Sequence, residues 1–320
     1  MEGNGLMERS DVRTRLQHAL APLHLRGLWQ LPAAATPTVP ATTTQAWHWR
    51  ADEVTPLAFR AGDAIGGGER RALLLANPGL APTPFTTTTV QGAVQCLRGQ
   101  ETVRAHRHTH SAIRFVLSGG GAYTTVDGIK CHMAAGDFIV TPNWSWHDHT
   151  NPTDEPVVWF DGLDLPLVTR LESVVSEDHP AGLQEAVHGA SSLLRQPWEV
   201  TDRALSALVD DPTRLASVEF TDPVTGGGIC PTFDCWMHRF GPRLATPAKR
   251  KTGHSIFVVL SGTGATFVGP ERFAWEPGDV FVAPSWAAIR HEARETSNVF
   301  ELTDRPILAA LGLYREETLR

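Results

Sequence analysis

Short apolar runs alternate with glycine- and proline-bearing turns along most of this chain. ALLLA (72–76), AIRFVL (112–117), GAYTTV (121–126), DFIV (137–140) and VVWF (157–160) are rich in β-branched and aromatic residues. NPG (77–79), SGGG (118–121), VDG (126–128), AGD (135–137) and NPTDEP (151–156) separate them. Many short strands at regular spacing predict an all-β sandwich or barrel. The pattern then recurs. HRHTHSAIRFVLSGGGAY (106–123) aligns with KRKTGHSIFVVLSGTGAT (249–266), and GDFIVTPNWSWHDHTN (136–151) with GDVFVAPSWAAIRHEA (278–293). A repeat this long means two copies of one barrel, since solenoid periods run about 20–50 residues.

Between the copies the period changes. LVTRLESVVSEDHPAGLQEAVHGASSLLR (167–195) and ALSALVDD (204–211) place apolar residues at spacings of three and four, which predicts short helices. Residues 8–30 also read as helical, and PAAATPTVPATTT (32–44) as a loop or extended arm. The expected organisation is an N-terminal helix and arm (1–45), a first barrel (46–166), a helical linker (167–217) and a second barrel (218–320).

Composition narrows the partners. The 320-residue chain carries a formal net charge of -7, so it has no broad field for phosphate backbones or anionic lipid. No nucleic acid and no membrane partner is expected. A small anionic substrate stays compatible, because local arginines can override the global sign. The first twenty residues lack the apolar core of a signal peptide, and no run approaches the roughly 20 residues of a membrane span. A cytoplasmic protein is expected, with Met7 a second possible start. Cys96, Cys131, Cys230 and Cys235 form no paired metal spacing and read as reduced, buried thiols. The ten tryptophans read mostly as core.

Histidine carries the chemistry. Five of the fourteen histidines, His106, His108, His110, His147 and His149, fall in two tight clusters at strand edges. Residues 106 and 108 share one face of a strand, with Cα atoms about 6.6 Å apart at about 3.3 Å per residue. His147, on a later strand, supplies a third imidazole. A lone histidine would read as a satisfied core or surface group, whereas this clustering points to a metal site. Three neutral imidazoles leave coordination positions open, as a catalytic metal requires, and fit a zinc hydrolase as well as an oxygenase.

Gly136, Asp137, Pro142, His147 and Asn151 resemble the second cupin motif, and HRH after RGQETVRA resembles the first. The usual glutamate of that first motif is missing, since Ala112 and Ile113 stand in its place. Together with ERRALLLANPG (69–79), YTTVDG (123–128), WFDGLDLPLV (159–168), GGGICPTFDCWMHR (226–239) and ALGLYREE (310–317), the chain resembles the gentisate/salicylate 1,2-dioxygenases nearly end to end. That resemblance implies two jelly-roll cupin barrels and Fe(II) held by His106, His108 and His147. It implies dioxygen-dependent cleavage of an aromatic 2-hydroxy acid between the carboxyl- and hydroxyl-bearing carbons, with gentisate giving maleylpyruvate. Arg114 matches the arginine that holds the substrate carboxylate. His149 matches a histidine that hydrogen-bonds substrate or oxygen, and Arg70, Gln95 and Asp161 match further pocket residues. A homotetramer is the family expectation.

Three departures stand out. Gln91 occupies a place where the family often has an aromatic residue, and is expected either to contact a polar ring substituent or to turn away and bond backbone. His110 replaces a glutamine and is expected to sit behind the metal ligands. In the second barrel KRK (249–251) replaces HRH and Ile289 replaces the third ligand, so no iron is expected there and KRK reads as a solvated edge. Salicylate, a substituted salicylate or 1-hydroxy-2-naphthoate is an alternative substrate. A non-enzymatic binding bicupin is the alternative of another class.

Overall fold

The computed structural model describes residues 3–31, 37–66, 71–186, 193–208, 211 and 213–319. It divides into Met1–Ala41 and Thr42–Arg320. The first unit holds the helix Gly3–Leu20 and two short 3-10 turns. Within the second, eight strands recur twice. They are β1 (Gln91–Leu97), β2 (Glu101–His108), β3 (Ala112–Ser118), β4 (Gly120–Val126), β5 (Ile129–Ala134), β6 (Phe138–Thr141), β7 (His147–Asn151) and β8 (Val157–Leu163). Their counterparts are β9 (Asp234–Phe240), β10 (Lys249–Lys251), β11 (Ser255–Ser261), β12 (Gly264–Val268), β13 (Glu271–Trp275), β14 (Val280–Ala283), β15 (Ile289–Ala293) and β16 (Ser297–Thr303).

Each set folds as two facing antiparallel sheets. In the first barrel these run β6-β3-β8-β1 and β2-β7-β4-β5; in the second, β14-β11-β16-β9 and β13-β12-β15-β10. Strand alternation sorts the side chains into three cores. Ile113, Phe115, Val158 and Phe160 face Ile256, Val258, Phe300 and Leu302 in a core between the barrels. Phe115 stacks on Phe300 with ring centroids 4.6 Å apart, and Phe138 on Phe220 at 4.2 Å. Gly162 is required there, because a Cβ would lie 2.6 Å from Leu302 Cδ2. The opposite faces close each barrel. Leu97, Val103, Val116, Ile139, Val157 and Trp159 fill the first, and Phe257, Val259, Trp275 and Phe281 the second.

The barrels exchange their flanking strands, which corrects the expected boundaries at 46–166 and 167–217. Trp47–Trp49, preceding the first barrel, pairs with Val280–Val282 of the second. Arg195–Gln196, preceding the second, pairs with Phe138–Ile139 of the first. The two Gly-Asp turns hold both exchanges. Asp137 accepts from Arg195 Nε (2.9 Å) and from the Trp198 N–H that opens helix Trp198–Ala207. Asp279 accepts from His48 Nε2 (2.8 Å) and from the Ala51 N–H that opens helix Ala51–Ala64. A carboxylate at a helix N-terminus meets unpaired N–H groups and the positive end of the dipole.

The linker also differs from the helical expectation. Among the described residues of this stretch only Leu165–Arg170 and Trp198–Ala207 are helical; residues 187–192, 209–210 and 212 lie outside them. Glu172 adopts a left-handed φ of 53°, ending the first helix. The chain then runs as Ser176–Asp178 along β2, captured by that strand's open edge.

Candidate metal centre and substrate pocket

The sheet β2-β7-β4 carries the histidines. His106 pairs with His147 across β2 and β7, and a bulge between Val103 and His106 re-aims the end of β2. Ring centroids of His106 and His147 lie 4.3 Å apart, and those of His108 and His147 4.7 Å. One ring nitrogen from each of the three lies within 4.8 Å of the others. Backbone carbonyls fix the tautomers. Nδ1 of His106 donates to the Arg104 carbonyl (3.0 Å), that of His108 to the His110 carbonyl (2.7 Å), and that of His147 to the Ser145 carbonyl (3.0 Å). A carbonyl only accepts, so each Nδ1 carries a proton, and in the neutral ring each Nε2 keeps a lone pair. The donor set therefore fits a divalent metal held by three neutral imidazoles. His110 sits behind it, its ring stacked on His108 with centroids 3.6 Å apart.

The facing sheet supplies a buried cation. Ile113 and Phe115 point into the inter-barrel core, so Arg114 between them points into the first barrel. It is 2% exposed. Its Nη1 donates to Thr141 Oγ1 (2.6 Å), and its Nε lies 3.6 Å from Asp161 Oδ1, directly across the β3–β8 ladder. His149 lies beside Trp159 with ring centroids 5.4 Å apart, and its Nδ1 is 2.9 Å from Thr124 Oγ1. Gln95 is buried on β1, opposite Trp159. Arg70 lies outside the described residues. Its neighbour Arg71 is buried and paired with Glu101.

Gln91 takes the second of the two courses expected of it and turns to the backbone. Its Nε2 donates to Thr86 Oγ1 (3.0 Å) and to the Gly92 carbonyl (2.6 Å), while Oε1 accepts from the Thr86 N–H (3.3 Å). Both amide hydrogens are thus spent on the 86–92 turn, and a ring substituent is left without a donor from this residue. Thr141 and Thr124 went unnoticed in the sequence. The structure repeats the second contact in the other barrel, where Thr266 Oγ1 lies 2.8 Å from His291 Nδ1.

Residues 93–164 match the family model for the cupin domain. Over 97% of its length the chain is 33% identical to gentisate 1,2 dioxygenase 1 of Aquipseudomonas alcaligenes, covering 96% of that protein. The chain belongs to the gentisate/salicylate 1,2-dioxygenase family of bicupins. It is also 33% identical to 5-aminosalicylate 1,2-dioxygenase of Comamonas sp, covering 94% of this chain and 89% of that protein. Among solved structures it resembles the gentisate adduct of salicylate 1,2-dioxygenase from Pseudoaminobacter salicylatoxidans. The TM-score is 0.88 at 29% identity, over 96% of this chain and 94% of that one. The protein is therefore a ring-cleaving 1,2-dioxygenase of this family, with the family's three-histidine metal site. All four cysteines are buried thiols, as expected. Among the described residues no helix is long and apolar enough to cross a membrane.

The second barrel of this dioxygenase holds a cavity of about 680 Å³ walled by Phe240, Phe257, Leu244 and Ile289. KRK is not a wholly solvated edge. Lys251, in the place of His108, turns its ammonium inward to Glu301 Oε1 (2.8 Å) and Thr303 Oγ1 (3.3 Å). Glu301 also accepts from Ser255 Oγ (2.6 Å) and His238 Nε2 (2.9 Å). Burial pushes the Glu301 carboxyl up, but Lys251 and His238 together hold it well below the usual range.

Proposed function

We propose that this chain is an Fe(II)-dependent dioxygenase that opens gentisate between its carboxyl- and hydroxyl-bearing carbons to give maleylpyruvate. The observation that carries the reading is the convergence of three Nε2 lone pairs in one barrel whose facing wall presents buried Arg114. The gentisate dioxygenase of Aquipseudomonas alcaligenes and the gentisate adduct of the salicylate enzyme support the choice of substrate. Iron, when bound, supplies the one-electron chemistry that lets dioxygen react with a closed-shell arene. The protein does the rest by orientation. The Arg114 guanidinium offers a planar fork to the carboxylate, and Thr141 and Asp161 hold the fork in one rotamer. His149, fixed through Thr124, presents Nε2 to the phenolic oxygen and takes up its proton, becoming an imidazolium whose Nδ1–H stays bonded to Thr124. The apolar floor of Leu97, Val116 and Val157 keeps water away from the reacting ring.

A substrate panel decides it. Metal-depleted protein is reconstituted anaerobically with Fe(II) or with Zn(II), then given gentisate, salicylate, 5-aminosalicylate or 1-hydroxy-2-naphthoate at an oxygen electrode. Uptake with gentisate, one dioxygen per ring, is expected with iron and not with zinc. No uptake with any of the four acids would sink the enzymatic reading, and uptake with salicylate alone would move the substrate. The same reading carries a cytoplasmic homotetramer, checked by sedimentation of the full chain.

A further inference from the structure

The outward-facing residue between two of the ligands has a partner set of its own. Residues 106 and 108 point into the barrel, so Arg107 points out. Its guanidinium carbon lies 4.4 Å from the ring centroids of both Trp144 and Trp146, a cation between two aromatic faces. Its Nε and Nη2 donate to Glu177 Oε2 at 2.8 and 2.6 Å. Glu177 lies on the strand that pairs with β2, opposite Arg107. Trp146 immediately precedes His147 and is braced edge-on by His179 at 4.7 Å. One side chain thus joins the strand bearing two ligands to the loop delivering the third. These two tryptophans are not the core residues the composition suggested; Trp144 is 38% exposed.

The second barrel is a control within the same molecule. Arg250 holds the place of Arg107, lies 4.8 Å over Trp286 and pairs with Glu317. Trp286 repeats Trp144 in backbone as well. Their φ values are 66° and 62°, and each N–H donates to the carbonyl of the preceding strand's last residue, Lys251 (2.7 Å) or His108 (2.8 Å). That half of the assembly survives where metal ligands do not, so it serves the fold. The other half does not survive. Ala288 stands where Trp146 would be, beside Ile289 in place of His147. The second tryptophan accompanies the ligand.

We propose that the Arg107–Trp146 contact positions the three imidazoles before metal arrives, making Arg107 and Trp146 positioning residues for the metal centre. The inference rests on the reading of His106, His108 and His147 as ligands. It is tested on metal-depleted full-length protein titrated anaerobically with Co(II), whose visible d–d band reports affinity and geometry. Arg107→Ala and Trp146→Ala should each weaken Co(II) binding about tenfold or more, the range for groups that orient ligands, and should shift the band. Arg107→Lys and Trp146→Phe, which keep a cation and an aromatic face, should recover much of it. Arg250→Ala removes the matching contact in the other barrel and should leave Co(II) binding at wild-type strength. Melting of the metal-free Arg107 and Trp146 variants should match that of Arg250→Ala. Wild-type affinity and band in Arg107→Ala and Trp146→Ala would overturn the proposal, as would equal weakening by Arg250→Ala. A wild-type protein without a Co(II) band would instead overturn the metal reading itself.

Discussion

Arg114 and Asp161 face each other across one rung of the β3–β8 ladder, and Thr141 accepts a hydrogen bond from Nη1 of the guanidinium. The arginine is thus locked before substrate arrives, and the position it presents is as important as its charge. Arg114→Ala should raise the KM for gentisate by an amount equivalent to about 2–5 kcal/mol of lost carboxylate recognition, whereas Arg114→Lys should cost less because the charge remains. Steady-state oxygen uptake measures both, and an unchanged KM in Arg114→Ala would remove the residue from substrate binding. Gln91 leads to the opposite expectation. Because its amide is tied to Thr86 and Gly92, Gln91→Leu should leave the ratio of kcat/KM for gentisate over salicylate within about twofold of wild type. It should cost about 1–3 kcal/mol of stability, through the Thr86 groups left unpaired. A tenfold change in the ratio would restore Gln91 as a reader of the ring. The histidine ligands were legible because spacing and strand parity suffice to place them. Which of its two expected courses Gln91 takes was not legible, since the choice depends on a loop partner five residues away rather than on the residue's own face.

At the scale of elements, the exchange of flanking strands decides how the barrels are joined. Asp137 and Asp279 each collect a helix N-terminus and a basic partner from the segment preceding the other barrel. Replacing Asp137 by Ala leaves the Trp198 N–H and Arg195 without their acceptor. It should cost about 1.5–3 kcal/mol, the scale of a hydrogen bond to a charged group, read as a lower urea midpoint. Asp137→Asn should cost less if hydrogen bonding matters more than charge, and an unchanged midpoint in Asp137→Ala would show that pairing with β6 alone holds the exchange. The sequence displayed both Gly-Asp turns and the repeat, so the eight-stranded barrels could be read from it. Which barrel the Trp47–Trp49 and Arg195–Gln196 segments would join could not, because register with a strand far along the chain leaves no local pattern. The stretch after Arg170 misled for a related reason. Leu171, Val174 and Val175 carry helical spacing, yet they are exposed on a segment held by the edge of β2.

Taken whole, the molecule pairs one barrel built around metal ligands with another in which a half-buried cation meets a buried carboxylate. In the second barrel Lys251 answers Glu301, and nearby His291 is kept neutral. Burial pushes that imidazole down to about 3, and His238 adds to the effect. Phe240, Phe257 and Phe281 surround the ring, Thr266 holds its Nδ1, and Lys251, Glu301 and His238 are the charged or titratable groups acting on it. The sign follows from linkage. Between about pH 6.5 and 3 the unfolded chain binds a proton at this histidine that the folded chain refuses. The contribution of His291 to stability is therefore present in full above pH 6.5 and declines as pH falls, at up to about 1.4 kcal/mol per pH unit. Glu301, held low, gives up its contribution in a more acidic window, below the ordinary glutamate range near 4.3. The two windows are separable. From pH 6.5 to 5.0 the wild type should lose about 2 kcal/mol more stability than His291→Asn, whose amide can still meet Thr266 but takes up no proton. Other histidines are common to both proteins, so they cancel in the comparison of metal-free urea midpoints. Parallel stability–pH curves for the two proteins would mean that His291 takes up its proton in the folded barrel as readily as in the unfolded chain, with water reaching the ring through the cavity that Phe240 and Phe257 wall.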